Sequence, residues 1–164
     1  MAVREILHYP HPALKEPARP PLPGDVARVA ADLVDTMRSF PRCVGVAAPQ
    51  IGEPVRMCAV DVSQHPKGGD GHGLLVLVEP VVVSGSGAKL GREGCLSIPD
   101  FTGDVARQTD VIIEARDPVG EALRIATSGF EARALQHEID HLDGILFLDR
   151  VVSAAHVFRR RSYG

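Results

Sequence analysis

An α+β fold is what this sequence predicts: short antiparallel sheets packed around a central buried helix carrying H-E-x-x-H, plus a helix nearer the N-terminus. Three observations predict it. Apolar residues recur at helical spacing in two separate stretches, residues 25–40 and 128–144. Short β-branched runs bounded by turn residues fill the middle of the chain, and the clearest pair flanks Asp117-Pro118-Val119-Gly120. At 164 residues the chain is long enough for one buried core, with no internal repeat, so a single domain over 1–164 is expected.

Residues 1–24 hold Pro10, Pro12, Pro17, Pro20, Pro21 and Pro23. Proline lacks the N–H that helices and central strands require, so this segment should run extended over the surface. From Asp25 to about Phe40, Val26, Val29, Ala30, Leu33, Val34 and Met37 mark one apolar helix face, which Pro41 ends. Residues 43–52 form a loop of small side chains, and 55–62 reads as a strand. Residues 64–73 read as a solvated, mobile connector whose His65 and His72 carry no function. Residues 74–83 suggest a buried strand pair broken near Glu79-Pro80, and 111–116 with 121–126 a hairpin. Ser128 and Glu131 are spaced as a capping box for the central helix, and Gly144 supplies its stop. Ile145 to Leu148 is short and apolar, and the tail with Arg159, Arg160 and Arg161 reads as a solvated end.

Bulk properties exclude several classes. A net charge of -3 offers no basic face for nucleic acid. No run approaches a membrane span, and the N-terminus lacks the apolar core of a signal peptide. Cys43, Cys58 and Cys95 are an odd, sparse set, which argues against a disulfide framework and for a reducing, cytoplasmic setting.

The chemistry concentrates in Gln136-His137-Glu138-Ile139-Asp140-His141-Leu142-Asp143-Gly144. His137 and His141 are four apart, so on a helix both imidazoles can reach one cation. Glu138 stands roughly 100° round from His137 and roughly 60° from His141, close enough to serve a water without being a ligand. Two histidines need a third protein ligand, with one position left open. Downstream, the metalloprotease extension H-E-x-x-H-x-x-G-x-x-H meets Phe147 where its histidine should be, and no Glu follows Glu138. His156 and Asp149 remain formal alternatives. Cys95 is the better one: a thiolate suits borderline cations, and Gly94 before it lets the backbone approach closely.

Three segments together resemble the motifs of the peptide deformylase family: G-V-A-A-P-Q-I-G at 45–52, E-G-C-L-S-I-P at 93–99 and Q-H-E-I-D-H-L-D-G at 136–144. They come in that family's order, and Ile6 to Leu14 is similar to its opening segment. The resemblance implies a metallo-amidohydrolase acting on linear formamides, which removes the formyl group from formyl-methionyl polypeptides in N-terminal methionine processing. It implies Cys95, His137 and His141 as ligands, Glu138 as general base and then acid, and the Gln50 amide and Leu96 N–H as oxyanion donors. Gly45 would let an extended substrate pair with the protein, Gly94 would approach it closely, and Val44 and Ala134 would line an apolar pocket. Softness alone suits zinc, whereas the resemblance points to Fe(II) in the cell, with nickel or cobalt as substitutes. The partners implied are a formyl-methionyl peptide and a transient position near the ribosome, with no nucleic acid or membrane bound; oligomeric state is open.

One departure stands out. The family's first motif usually begins with Gly where this chain has Cys43, which would narrow the substrate groove or shift specificity. Two other readings therefore stand beside the deformylase: a paralogue hydrolysing a different small amide, and a catalytically silent metal-binding module with a closed site.

Overall fold

A computed structural model describes residues 2–160. Helix α1, Val26–Arg38, buries Val29, Ala30, Leu33 and Met37 on one face, as its spacing requires. Helix α2, Gly129–Leu142, buries ten of its fourteen residues, so it is a core helix with hardly any solvent face. A five-stranded antiparallel sheet runs in the order β1-β2-β3-β6-β7, where β1 is Gly45–Ala47, β2 Met57–Val60, β3 Leu75–Ser86, β6 Asp110–Arg116 and β7 Ala122–Ser128. A second sheet has the order β4-β5-β8, with β4 Lys89–Cys95, β5 Ile98–Arg107 and β8 Val157–Arg159.

Alternation along the strands places the helices. Cys58 and Val60 pack with Leu135, Ile139 and Leu142 of α2, whereas Met57 and Ala59 pack with Val29, Leu33 and Met37 of α1. Successive side chains of a strand point to opposite faces, so the β1–β2 end of the sheet is sandwiched between the two helices. That explains why all four residues of β2 are buried.

Several expectations need correction. The 74–83 stretch is one continuous strand: a register shift between Val78 and Val81, with Glu79 at φ 51°, lets Pro80 sit inside β3 without breaking it. The long hairpin of β4 and β5 was not legible, because its glycines and exposed charges lack a clean apolar alternation. The Ser128 side chain makes no cap hydrogen bond. Glu131 instead accepts from the His72 N–H (2.6 Å) and ring and from the Thr127 hydroxyl (2.7 Å), three donors that outcompete a single capping contact. The 64–73 connector is accordingly pinned to α2, with His65 also stacked on Phe130.

The proline-rich start does more than cover the surface. Ile6 and Leu14 are buried, and Leu7 and Tyr9 donate backbone N–H bonds of 2.8 Å to the Gln50 and Ser97 carbonyls. The tail extends the second sheet: β8 pairs Val157, Phe158 and Arg159 with residues of β5. Arg161 lies outside the described residues.

Candidate metal centre

Three elements deliver one cluster. Helix α2 carries His137 and His141 one turn apart, and it stops where Gly144 takes φ 75°, a position at which a Cβ would also strike the Lys15 carbonyl oxygen at 2.6 Å. Strand β4 ends in Cys95, which pairs with Ile98 across the two-residue turn Leu96-Ser97. The turn after β1 carries Gln50. One ligand atom each from Cys95, His137 and His141 lies within 4.8 Å of the others, and all three residues are buried. Neither alternative ligand joins them. His156 pairs with Asp104 at 3.0 Å, and Asp149 accepts from Lys15 and the Leu146 N–H.

The donor set fits a divalent cation. Cys95 Sγ is 3.3 Å from His141 Nε2, and His137 turns its Nδ1 away to donate to Glu93 Oε1 at 2.9 Å. A carboxylate on the outer nitrogen fixes the ring's orientation and leaves Nε2 facing inward, the arrangement metal-binding histidines use. Burial pushes the His141 pKa well down, favouring its neutral imidazole; burial opposes charge on His137 as well, but its bonds to Cys95 and Glu93 hold its pKa well up. Among the buried polar atoms without a partner are His141 Nδ1 and Glu138 Oε1. Unsatisfied buried atoms of this kind call for an explanation, and a bound water with its cation supplies one for the carboxylate.

Glu138 is 4% exposed, and its pKa is pushed up to about 7, chiefly by burial; His137 pulls the other way, and the nearby Glu93 and Asp140 charges add to the rise. A carboxyl titrating near neutrality is suited to take a proton and return it. Gly45 is the residue packed against it. A Cβ on Gly45 would lie 2.7 Å from Glu138 Oε2, so the space its missing side chain leaves belongs first to Glu138.

Gln50 is buried and locked. Its Oε1 accepts from the Ala47 N–H (2.9 Å), which aims Nε2 at Ser97 Oγ (3.0 Å) and Cys95 Sγ (3.3 Å). Leu96 follows Cys95 in the turn, so its backbone sits at the edge of the cluster. Val44 packs on the core group that contains Ala134, Leu135 and Ile139. Gly94 lies on the opposite face of β4 from Cys95, with the Arg160 guanidinium where its Cβ would be.

Sequence reasoning missed a charged network behind the cluster. Glu93 accepts two bonds from Arg107 (both 2.9 Å) and one from Arg133 (2.6 Å) as well as the His137 bond. Arg107 also reaches Asp140 (2.6 Å), which Arg150 holds from outside (2.5 and 3.0 Å). Burial works against charge on Glu93, yet Arg107 and His137 hold its pKa well below the usual range. One signal pointed to it: Glu93 is two residues before Cys95, hence on the same face of a strand and beside any ligand Cys95 binds.

Known proteins resemble this chain over most of its length. The family model for polypeptide deformylase matches residues 3–156. Peptide deformylase 2 of Vibrio cholerae serotype O1 is 45% identical over 152 residues, covering 91% of this chain and 86% of that protein. The peptide deformylase of Heliobacterium modesticaldum is 44% identical over 153 residues, covering 92% and 95%. The crystal structure of a peptide deformylase from Legionella pneumophila superposes with a TM-score of 0.83 at 38% identity, covering 94% and 88%. A class I type b peptide deformylase from Acinetobacter baumannii, solved with Met-Ala-Ser bound, gives 0.84 at 33% identity over 92% of this chain and 99% of that one. With a family match over nearly its whole length and relatives this close, the chain belongs to the polypeptide deformylase family.

Proposed function

We propose that this chain is a metal-dependent hydrolase that removes the formyl group from formyl-methionyl polypeptides and releases formate, as one catalytic domain over residues 1–164. The observation that carries the reading is the buried Glu138 carboxylate with an unpartnered oxygen, beside clustered Cys95, His137 and His141. Those three residues would hold the cation, Fe(II) in the cell, with zinc, nickel or cobalt as substitutes. A divalent cation there lowers the pKa of water and polarises a carbonyl.

Everything else is done by the chain. Glu138 takes the proton of the attacking water and hands it to the departing amine, a task its near-neutral titration suits. Gln50 Nε2, aimed by the Ala47 N–H on its Oε1, donates to the developing oxyanion together with the Leu96 N–H. To do so Nε2 exchanges one of its present bonds, to Ser97 Oγ or Cys95 Sγ, for the oxyanion. Strands β1 and β4 each end their sheet, so the open edges at Gly45 and Gly94 can pair with an extended peptide. Val44 and Ala134 offer apolar surface for the methionine side chain. The Met-Ala-Ser held by the Acinetobacter relative is what a formylated tripeptide becomes once formate has left. The setting is the cytoplasm, close to the ribosome that supplies new N-termini. No helix among the described residues is long and apolar enough to cross a membrane.

Formate release from formyl-Met-Ala-Ser by the metal-loaded protein tests the proposal. Glu138→Ala should lower the rate by roughly 10²–10⁴ with metal content unchanged. A variant that turns over like the parent sinks the mechanism.

A further inference from the structure

The outer edge of β1 carries a hydrogen-bond donor that the proposed reaction does not call for. Alternation decides which backbone groups face outward. Asp61 N–H donates to the Val44 carbonyl at 2.8 Å, so that carbonyl points toward β2. Gly45, the next residue, pairs with Val60 and turns its C=O to the open edge, because β1 is the last strand of its sheet. Ala47 has the same parity and agrees: its N–H leaves the sheet to reach Gln50 Oε1. On this edge the Cys43 thiol donates to the Gly45 carbonyl at 3.1 Å. Glu138 lies against the same glycine through Oε2, on the side a Cβ would take, while its other oxygen, Oε1, is the buried and unpartnered one. The outward Gly45 carbonyl is the acceptor an incoming amide N–H would meet, and the Cys43 thiol already lies on it.

We propose that Cys43 is a specificity-determining positioning residue, whose S–H on the Gly45 carbonyl competes with the N–H of an extended peptide that pairs with β1. The inference rests on the deformylase reading and deepens it. Burial, with the Glu138 charge adding, pushes the Cys43 thiol up to about 12, so at neutral pH it is a neutral donor and neither a nucleophile nor a thiolate ligand. A thiol is a weak donor. A peptide N–H, the stronger one, takes the carbonyl from it, whereas a hydroxyl at the same place would compete on better terms. Because the bond exists before substrate arrives, its loss changes affinity and leaves the chemical step alone.

The test compares the parent with Cys43→Ala and Cys43→Ser at matched metal content, using formyl-Met-Ala-Ser turnover and calorimetric binding of Met-Ala-Ser. Cys43→Ala should lower KM and the Met-Ala-Ser Kd about two- to tenfold with kcat changed less than about twofold, and Cys43→Ser should raise both constants. In the parent, the infrared S–H band that disappears in Cys43→Ala should move to higher frequency when Met-Ala-Ser binds. A band that stays in place, an effect confined to kcat, or Ala and Ser variants that shift KM the same way would overturn the proposal. Band movement in a parent that releases no formate supports the thiol's role and refutes the hydrolase reading. Formate release with an unmoved band does the reverse.

Discussion

Helices α1 and α2 pack on opposite faces of the β1–β2 edge, and both bury carboxylates. In α1, Asp32 accepts from the Ala2 N–H (2.8 Å) and the Arg4 guanidinium (3.1 Å), while Thr36 Oγ1 accepts from the Arg4 N–H (2.8 Å). These polar groups fasten the N-terminal segment. In α2, Asp140 is saturated by Arg107 and Arg150, yet Glu138 Oε1 and His141 Nδ1 are buried without a partner. A satisfied buried polar group stabilises by defining one geometry; an unsatisfied one lowers stability and persists where chemistry needs it. The contrast separates a fastening helix from a working one, although the two are nearly equal in length.

The sharpest way to break that contrast is Glu138→Gln. It should lower formate release by roughly 10²–10⁴ while chemical denaturation shows a fold at least as stable as the parent, since it removes the cost of a buried charge. A variant that loses stability instead would make Glu138 a structural residue. Next in size is Arg107→Met, which takes the shared partner from the buried Glu93 and Asp140 carboxylates and leaves them only Arg133, His137 and Arg150. Loss of about 3–5 kcal/mol is expected in urea unfolding. Chelator competition should also show metal affinity falling about 10–100-fold, because Glu93 no longer orients His137 firmly. Unchanged metal affinity would reduce that network to mere packing.

Asp32→Ala makes the matching change in α1. It should cost about 1–3 kcal/mol by leaving the Ala2 and Arg4 donors short of an acceptor, with metal affinity by the same chelator titration unaltered. The smallest effect concerns the first turn of α2. Burial opposes charge on Glu131, but the His72 N–H and ring and the Thr127 hydroxyl hold its pKa below the ordinary value. A depressed folded pKa contributes stability that is fully present above the unfolded value of about 4.3 and fades as pH falls through the lower folded one. Glu131→Gln should therefore flatten the acid limb of stability below about pH 4.3 and leave kcat at neutral pH unchanged. An acid limb identical to the parent's would detach Glu131 from that anchoring.

Legibility followed the range of the interaction. Both helices, the hairpin at 117–120 and the pairing of His137 with His141 depend on spacings of a few residues, and those are visible in any chain. Cys95 could be argued from softness and from the failure of downstream candidates, then met the histidines in space. Of the Glu93–Arg107–Asp140 network only Glu93 left a trace, two residues before Cys95; Arg107 and Asp140 look like ordinary surface charges until the fold closes. Glu131 shows the same limit at short range: its spacing from Ser128 matched a capping box, and a loop some sixty residues upstream claimed the carboxylate instead.

By itself the sequence determined the α+β class, the position of the helical metal motif and the family resemblance carried by three segments, since periodicity and motif spacing are local properties of the chain. Only the tertiary structure decided which faces of β2 meet which helix, that Gly45 yields its side-chain space to Glu138, and that the Cys43 thiol lies on an outward carbonyl. Those outcomes depend on desolvation and on partners brought from distant segments. Neither exists until the chain has folded around α2.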